Sequence, residues 1–138
     1  MGQDAAMKID GRCYCGAITF TSEIDPNAVQ VCHCTDCQMF TGTAFRISVA
    51  AKVADTKFTG TPKTFIKVAD SGRRRQNAFC GDCSAQLFSC DEVNPQSYNL
   101  RVGVITQRNE LRPLRQIWTH SKLPWLDEAM KTRVEEVR

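Results

Sequence analysis

Seven cysteines stand in three tight groups: Gly11-Arg12-Cys13-Tyr14-Cys15-Gly16, Cys32-His33-Cys34-Thr35-Asp36-Cys37 and Phe79-Cys80-Gly81-Asp82-Cys83. Thiolates two or three residues apart on a tight turn reach one metal together. The glycines beside them let the backbone curl so that amide N–H groups face sulfur. Zinc takes about four soft ligands in a tetrahedron, with Zn–S bonds of about 2.3 Å. Two pairs and a triplet divide into two sites. Cys13, Cys15, Cys80 and Cys83 make a closed four-thiolate set that clamps the N-terminal segment to one far along the chain. Cys32, Cys34 and Cys37 supply three ligands and leave a fourth position for water or substrate, the pattern of a catalytic metal. The eighth cysteine, Cys90, is either a small buried hydrophobe or the ligand that closes the second site and makes it structural too.

Competing uses of these thiols fit less well. The segment Met1 to Asp10 is polar and lacks the apolar stretch of an export signal, so the expected compartment is the reducing cytoplasm, where disulfides are rare. A thioredoxin-like pair opens a helix, whereas Cys80-Gly-Asp-Cys83 runs into the strand-like Ser84 to Ser89. The spacings match neither common ferredoxin run. A zinc-ribbon nucleic-acid module wants a basic face, and the formal charge of +3 is spread along the chain. Seven thiolates and two dications together add −3, which brings that charge to about zero. No nucleic-acid partner is expected. His33 lies between two ligands, where an extended backbone sends it to the opposite face, towards a role behind the ligands or in a pocket wall. His120 reads as a surface histidine.

These groups need a frame. The 138 residues fit one domain, and a hydrophobic content of 42% excludes a disordered chain. No apolar run approaches ~18 residues, so no membrane helix is expected. Ala17 to Thr21 and Phe45 to Val49 alternate apolar and polar residues, as strands do. Asp25-Pro26-Asn27 and Asp70-Ser71-Gly72 are turn signals. Phe58 to Pro62 reads as a strand end and turn, with Thr64 to Val68 as its hairpin partner. Gln86 to Ser89, Asn99 to Ile105 and Arg115 to Thr119 are short strands, with Leu100, Val102 and Val104 on one face. Only the C-terminus looks helical. After Pro124, the residues Leu126, Ala129, Met130, Arg133, Val134 and Val137 have helical spacing, with Asp127 and Glu128 at the start and Arg138 at the end. The expectation is a mainly β domain over residues 8–127 and a helical extension over 128–138.

The sequence resembles the glutathione-dependent formaldehyde-activating enzyme family, which also contains centromere protein V. The likeness rests on Gly11-x-Cys13-x-Cys15-Gly16-Ala17, Cys32-His33-Cys34-x-x-Cys37, Thr41-Gly42-Thr43-Ala44-Phe45, Phe79-Cys80-x-x-Cys83, Pro113, Ile117-Trp118 and Trp125. It implies small coiled antiparallel sheets organised around zinc, similar to methionine sulfoxide reductase B and the Rab accessory protein fold. It also implies a structural zinc on Cys13, Cys15, Cys80 and Cys83 and a second zinc on Cys32, Cys34 and Cys37. The implied activity is that of a carbon–sulfur lyase run towards S-hydroxymethylglutathione, with glutathione as co-substrate. Ser84, Asn77, Gln116 and Gly103-Val104-Ile105-Thr106 stand where the family has, respectively, Gly, a basic residue, His and a Leu-Asp pair after the glycine.

The chemistry expected of such a site is thiolate generation at the three-cysteine zinc, followed by addition to an aldehyde held nearby. Asp36 or His33 is the candidate proton shuttle. Arg46, Arg73, Arg74 and Arg75 are candidate partners for glutathione carboxylates, the alternative for the arginine run being a solvated strand edge. The rival from another class is a non-catalytic, zinc-stabilised binding module for glutathione, another small thiol or a protein. Thiol addition to formaldehyde is facile without a catalyst.

Overall fold

β2 (Thr19–Cys32) is the strand on which the sheet is assembled. Along its first half Phe20, Ser22 and Ile24 turn inward while the residues between them face solvent, the period-two pattern of a half-buried strand. A register shift between Ile24 and Val29 then bends it. The bend falls at Asp25-Pro26-Asn27, the expected turn. Pro26 has no N–H for the ladder, and the Asn27 amide donates to Asp25 Oδ1 at 2.9 Å. Turn chemistry thus appears as a bulge inside one strand. The bend lets the first half pair with β1 (Met7–Arg12) and β4 (Lys57–Thr59). The second half pairs with β3 (Arg46–Lys52) and, in parallel, with β9 (Arg115–Ile117).

The computed structural model describes residues 6–136. From β3 the sheet continues through β8 (Ser97–Arg101), β7 (Gln86–Asp91) and β6 (Arg74–Phe79) to β5 (Lys63–Val68). All nine strands join in one sheet, antiparallel except for the β2–β9 pair. The fold is mainly β, as the alternation implied, but hydrogen bonding links the strands into one sheet rather than several.

One face of the sheet is apolar. Val29, Val49, Leu100 and Cys90 are fully buried on or beside it, and the rings of Phe20, Phe58, Phe88 and Tyr98 pack at centroid distances of 4.4–5.4 Å. Such aromatic pairs contribute roughly 0.5–1.5 kcal/mol each beyond area burial. At Gly11 the β1 backbone passes so close to the Phe20 ring and the Val104 carbonyl that a Cβ would collide with both. The other face, across β6, β7, β8, β3 and β2, carries a polar row. Asn77 stands opposite Ser89, Ser89 opposite Asn99, Arg101 opposite Ser48, and Ser48 opposite Gln30.

Four expectations are corrected. β4 and β5 do not form a hairpin: β4 pairs with β2, and β5 pairs with β6 across the turn at 69–72. Gly60 and Pro62 redirect the chain between them rather than fold it back. The strand expected over 99–105 ends at Arg101, and Val102–Val104 forms a 3-10 turn whose Val102 is buried. The C-terminus is not the sole helical segment, because α1 (Thr35–Thr41) lies inside the second cysteine group. It is too short to show an apolar stripe; among its residues only Cys37 is buried. Finally, α2 (Leu126–Ala129) covers four residues, and 131–136 of the expected extension are not helical. In that stretch the residues are exposed, so nothing holds the helix against its nucleation cost. Val137 and Arg138 lie outside the described residues.

Candidate functional site

The first cysteine set is built by two matching turns. After β1, the Cys13 amide donates to the Ile18 carbonyl at 3.0 Å, and the Ile18 amide donates to Cys13 Sγ at 3.3 Å. After β6, the Cys80 amide donates to the Ala85 carbonyl at 2.9 Å, and the Asp82 amide donates to Cys80 Sγ at 3.4 Å. The sulfurs of Cys13, Cys15, Cys80 and Cys83 lie within 4.8 Å of one another. The distances Cys13–Cys15 and Cys15–Cys80 are both 3.7 Å. A tetrahedron with arms of about 2.3 Å has edges of about 3.8 Å, so the four thiols have the dimensions of a zinc or similar thiophilic site. The Ala85 and Cys15 amides pull the Cys83 thiol down to about 6, which favours the ligand form. Ser84 follows at φ +67°, in the left-handed region, with its amide donating to the Cys80 carbonyl at 2.8 Å.

The second set joins a strand end to a helix start. Cys32 closes β2, Cys34 caps α1 and Cys37 lies in its first turn. The Cys37 amide donates to Cys34 Sγ at 3.3 Å, and the two sulfurs are 2.9 Å apart. Gly42 ends the helix at φ +65°. The three sulfurs lie within 4.8 Å of one another. Burial pushes the Cys37 thiol up, reinforced by the adjacent Cys34. Burial also opposes ionisation of Cys34, but the Cys37 thiol and amide outweigh it and bring Cys34 below its ordinary value. Cys90 is not among these sulfurs: it is 0% exposed, in the core. All eight cysteines are free thiols.

This set opens on a cavity of about 800 Å³. Its lining includes all three cysteines, Asp36, Arg46, Arg73 and Arg75 among the expected residues. Strand alternation splits the arginine run. Arg73 and Arg75 face the cavity and share the Asp91 carboxylate, at 2.9 and 3.1 Å. Arg74 points the other way, pairs with Glu92 at 2.5 Å and is not brought to the cavity. Asp36 is ion-paired with Lys67. His33 is 1% exposed and lies outside the lining. Its Nε2 donates to Gln116 Oε1 at 2.7 Å, and its edge meets the Phe45 ring. The ring thus ties β9 to β2 from behind the cysteines.

The sequence reading missed the polar row beneath the cavity. Asn77, Ser89 and Asn99 line it, and Arg101 lies under them, 6% exposed. Arg101 donates to the Asn99 carbonyl at 3.2 Å and to Asn77 Oδ1 at 3.4 Å. Among the described residues no carboxylate lies within ion-pair distance of Arg46 or Arg101. Burial and the Arg46 charge push the Arg101 guanidinium down to about 9, while the Cys37 and Cys32 thiols oppose the shift. Polar residues at alternate strand positions were the available signal. They mark a solvated face equally well, and only pairing across five strands shows that they meet. Trp118 and His120 also line the cavity, although His120 was expected at an ordinary surface.

Among the described residues no helix is long and apolar enough to cross a membrane. A Rhodobacter sphaeroides protein of known crystal structure is similar in fold, with a TM-score of 0.60 at 19% identity. The match covers 78% of this chain and 98% of that one. No curated protein sequence matches this one. The family model of the glutathione-dependent formaldehyde-activating enzyme matches residues 8–121. With two cysteine sets able to hold metal and a match over most of its length, the chain belongs to the glutathione-dependent formaldehyde-activating enzyme family.

Proposed function

We propose that this protein is a zinc-dependent carbon–sulfur lyase-type enzyme that joins glutathione to formaldehyde as S-hydroxymethylglutathione. The observation that carries this reading is the three-cysteine set opening on a cavity of about 800 Å³ whose floor and wall are cationic. Cys13, Cys15, Cys80 and Cys83 hold a structural zinc, and Cys32, Cys34 and Cys37 hold a second. A zinc held by those three thiolates would supply mild Lewis acidity and would lower the pKa of a thiol that binds it.

The protein residues then bind, orient and move one proton. Arg46, Arg73 and Arg75 attract the carboxylates of the peptide thiol into the cavity. Asp36 takes the thiol proton, its carboxylate steadied by Lys67. His33 keeps β9 in place through Gln116 and so holds the wall beside the cysteines. The thiolate sulfur attacks the aldehyde carbon, a C–S bond forms as the C=O π pair moves to oxygen, and Asp36 returns the thiol proton to that oxygen. No electrons are exchanged with any other agent. The main gain comes from holding two reactants together. The site is built from free thiols, which persist in the reducing cytoplasm, the location that goes with this reading.

The test is adduct formation between glutathione and formaldehyde, followed by exchange NMR against the uncatalysed background. Zinc-loaded protein accelerates the exchange, Cys34→Ser abolishes the acceleration, and Arg46→Gln raises KM for glutathione by about ten-fold. A fully loaded protein that binds glutathione but leaves adduct formation at the background rate is the binding module instead.

A further inference from the structure

We infer that Trp118 and His120 form an aromatic subsite that selects a peptide-bearing thiol over a compact one; this rests on the thiol-binding reading of the cavity. Trp118 sits at φ +56°, ψ +40°. A bulky side chain in the left-handed region is an outlier, kept only where the surroundings force it. Here they do so from both sides. Before Trp118, Ile117 pairs with Cys32, and the His33 amide donates to the Ile117 carbonyl at 3.1 Å. After it, Gln38 Nε2 donates to the Ser121 carbonyl at 3.0 Å. Every anchor belongs to the segment that carries Cys32, Cys34 and Cys37.

The strain has a geometric result. Consecutive residues of an extended strand face opposite ways, yet Ile117 and Trp118 both line the cavity. The left-handed residue is what turns the indole to that side. Core packing does not repay it: Trp118 is 57% exposed, and its aromatic neighbour is His120, at 5.3 Å between centroids. The two rings are tilted by 51°, so the indole offers its flat face to a flat group and the imidazole borders that group at an angle. A cavity of about 800 Å³ suits a ligand of drug size, and a compact thiol leaves most of it to water. Glutathione has two amide planes between its carboxylates and its thiol. Arginines in the lining take the charges, and the aromatic wall takes an amide plane.

The experiment compares glutathione with free cysteine, which has the same thiol and a carboxylate but no amide plane. Calorimetry on zinc-loaded wild type, Trp118→Gly, Trp118→Ala and Trp118→Phe reads Kd for each thiol, and denaturant titration reads stability. Both small variants weaken glutathione binding by about ten-fold and leave cysteine within about two-fold, while Trp118→Phe retains most of the selectivity. Trp118→Gly is more stable than Trp118→Ala by about five-fold in the unfolding constant, because glycine takes this φ without a Cβ. Unchanged glutathione binding in the small variants, equal loss for both thiols, or equal stability of the Gly and Ala variants overturns the subsite. A wild type that binds glutathione selectively but accelerates no addition overturns the proposed reaction and supports the subsite.

Discussion

Cys90 shows how little a residue type reveals about its role until its neighbours are known. In the sequence it is an eighth thiol with two possible uses. In the sheet it lies one residue from Ser89, and that single step places it on the opposite face. Ser89 lines the cavity, whereas Cys90 packs in the core and accepts from Gln76 Nε2 at 3.3 Å. Burial pushes its thiol up, away from the ligand form. Cys90→Ala therefore leaves metal content unchanged and lowers stability by about 1 kcal/mol through the small cavity it creates. Metal analysis and denaturant unfolding of that variant check both halves; loss of one metal equivalent would put Cys90 back among the ligands. Arg101 illustrates the opposite case. Nothing in its local sequence distinguishes it from the other arginines, yet it is the one buried beneath the cavity, where its charge is lodged without a carboxylate. A buried cation of this kind costs stability unless an anion faces it, and the nearby Cys32 and Cys37 thiols are the groups that oppose its shift.

At the scale of elements, the cysteine turns were legible and the elements joining them less so. Spacing alone predicts that Cys13, Cys15, Cys80 and Cys83 belong together, because separations of two or three residues on turns aim sulfurs one way. The turn after β6 departs from its ideal at one position. Ser84 holds φ +67°, a conformation that costs a residue with a Cβ and costs glycine nothing. Ser84→Gly therefore raises stability by about 0.5–1 kcal/mol, the relief of the left-handed strain less the greater freedom of glycine in the unfolded chain. Thermal unfolding of the metal-loaded variant against wild type measures it, and a fall in Tm would mean that the serine side chain stabilises the turn by another route. α1 escaped notice because its first three residues belong to the second cysteine group, which reads as a metal turn. A seven-residue helix held by a cysteine cap and a left-handed glycine has no periodic stripe to read. The β4–β5 pairing failed for a related reason. Two short strands joined by a Gly-Pro turn resemble a hairpin, but β4 finds its partner far back along the chain in β2, and β5 finds its own across the next turn in β6.

Across the whole molecule, the two cysteine sets stand in different relations to the fold. The first connects the end of β1 to the end of β6, elements that do not pair with each other in the sheet. The second lies within one continuous stretch, from the end of β2 into α1. Cys80→Ser should therefore unfold the domain, and Cys34→Ser should leave a folded protein with one metal fewer, since only the first set closes a long loop. Circular dichroism with metal analysis separates these outcomes; an unfolded Cys34→Ser protein would make the second site structural. From its sequence alone, this protein's β class, the grouping of seven of its thiols into a set of four and a set of three, and its family likeness were all readable. They depend on spacings of a few residues, which turns and strand alternation convert directly into geometry. Which arginine faces the cavity, which lies beneath it, where Cys90 goes and why Trp118 is strained were settled only by tertiary structure. Each depends on the register between strands remote in the chain, and a one-residue slip in register exchanges the two faces of a sheet without changing any local pattern.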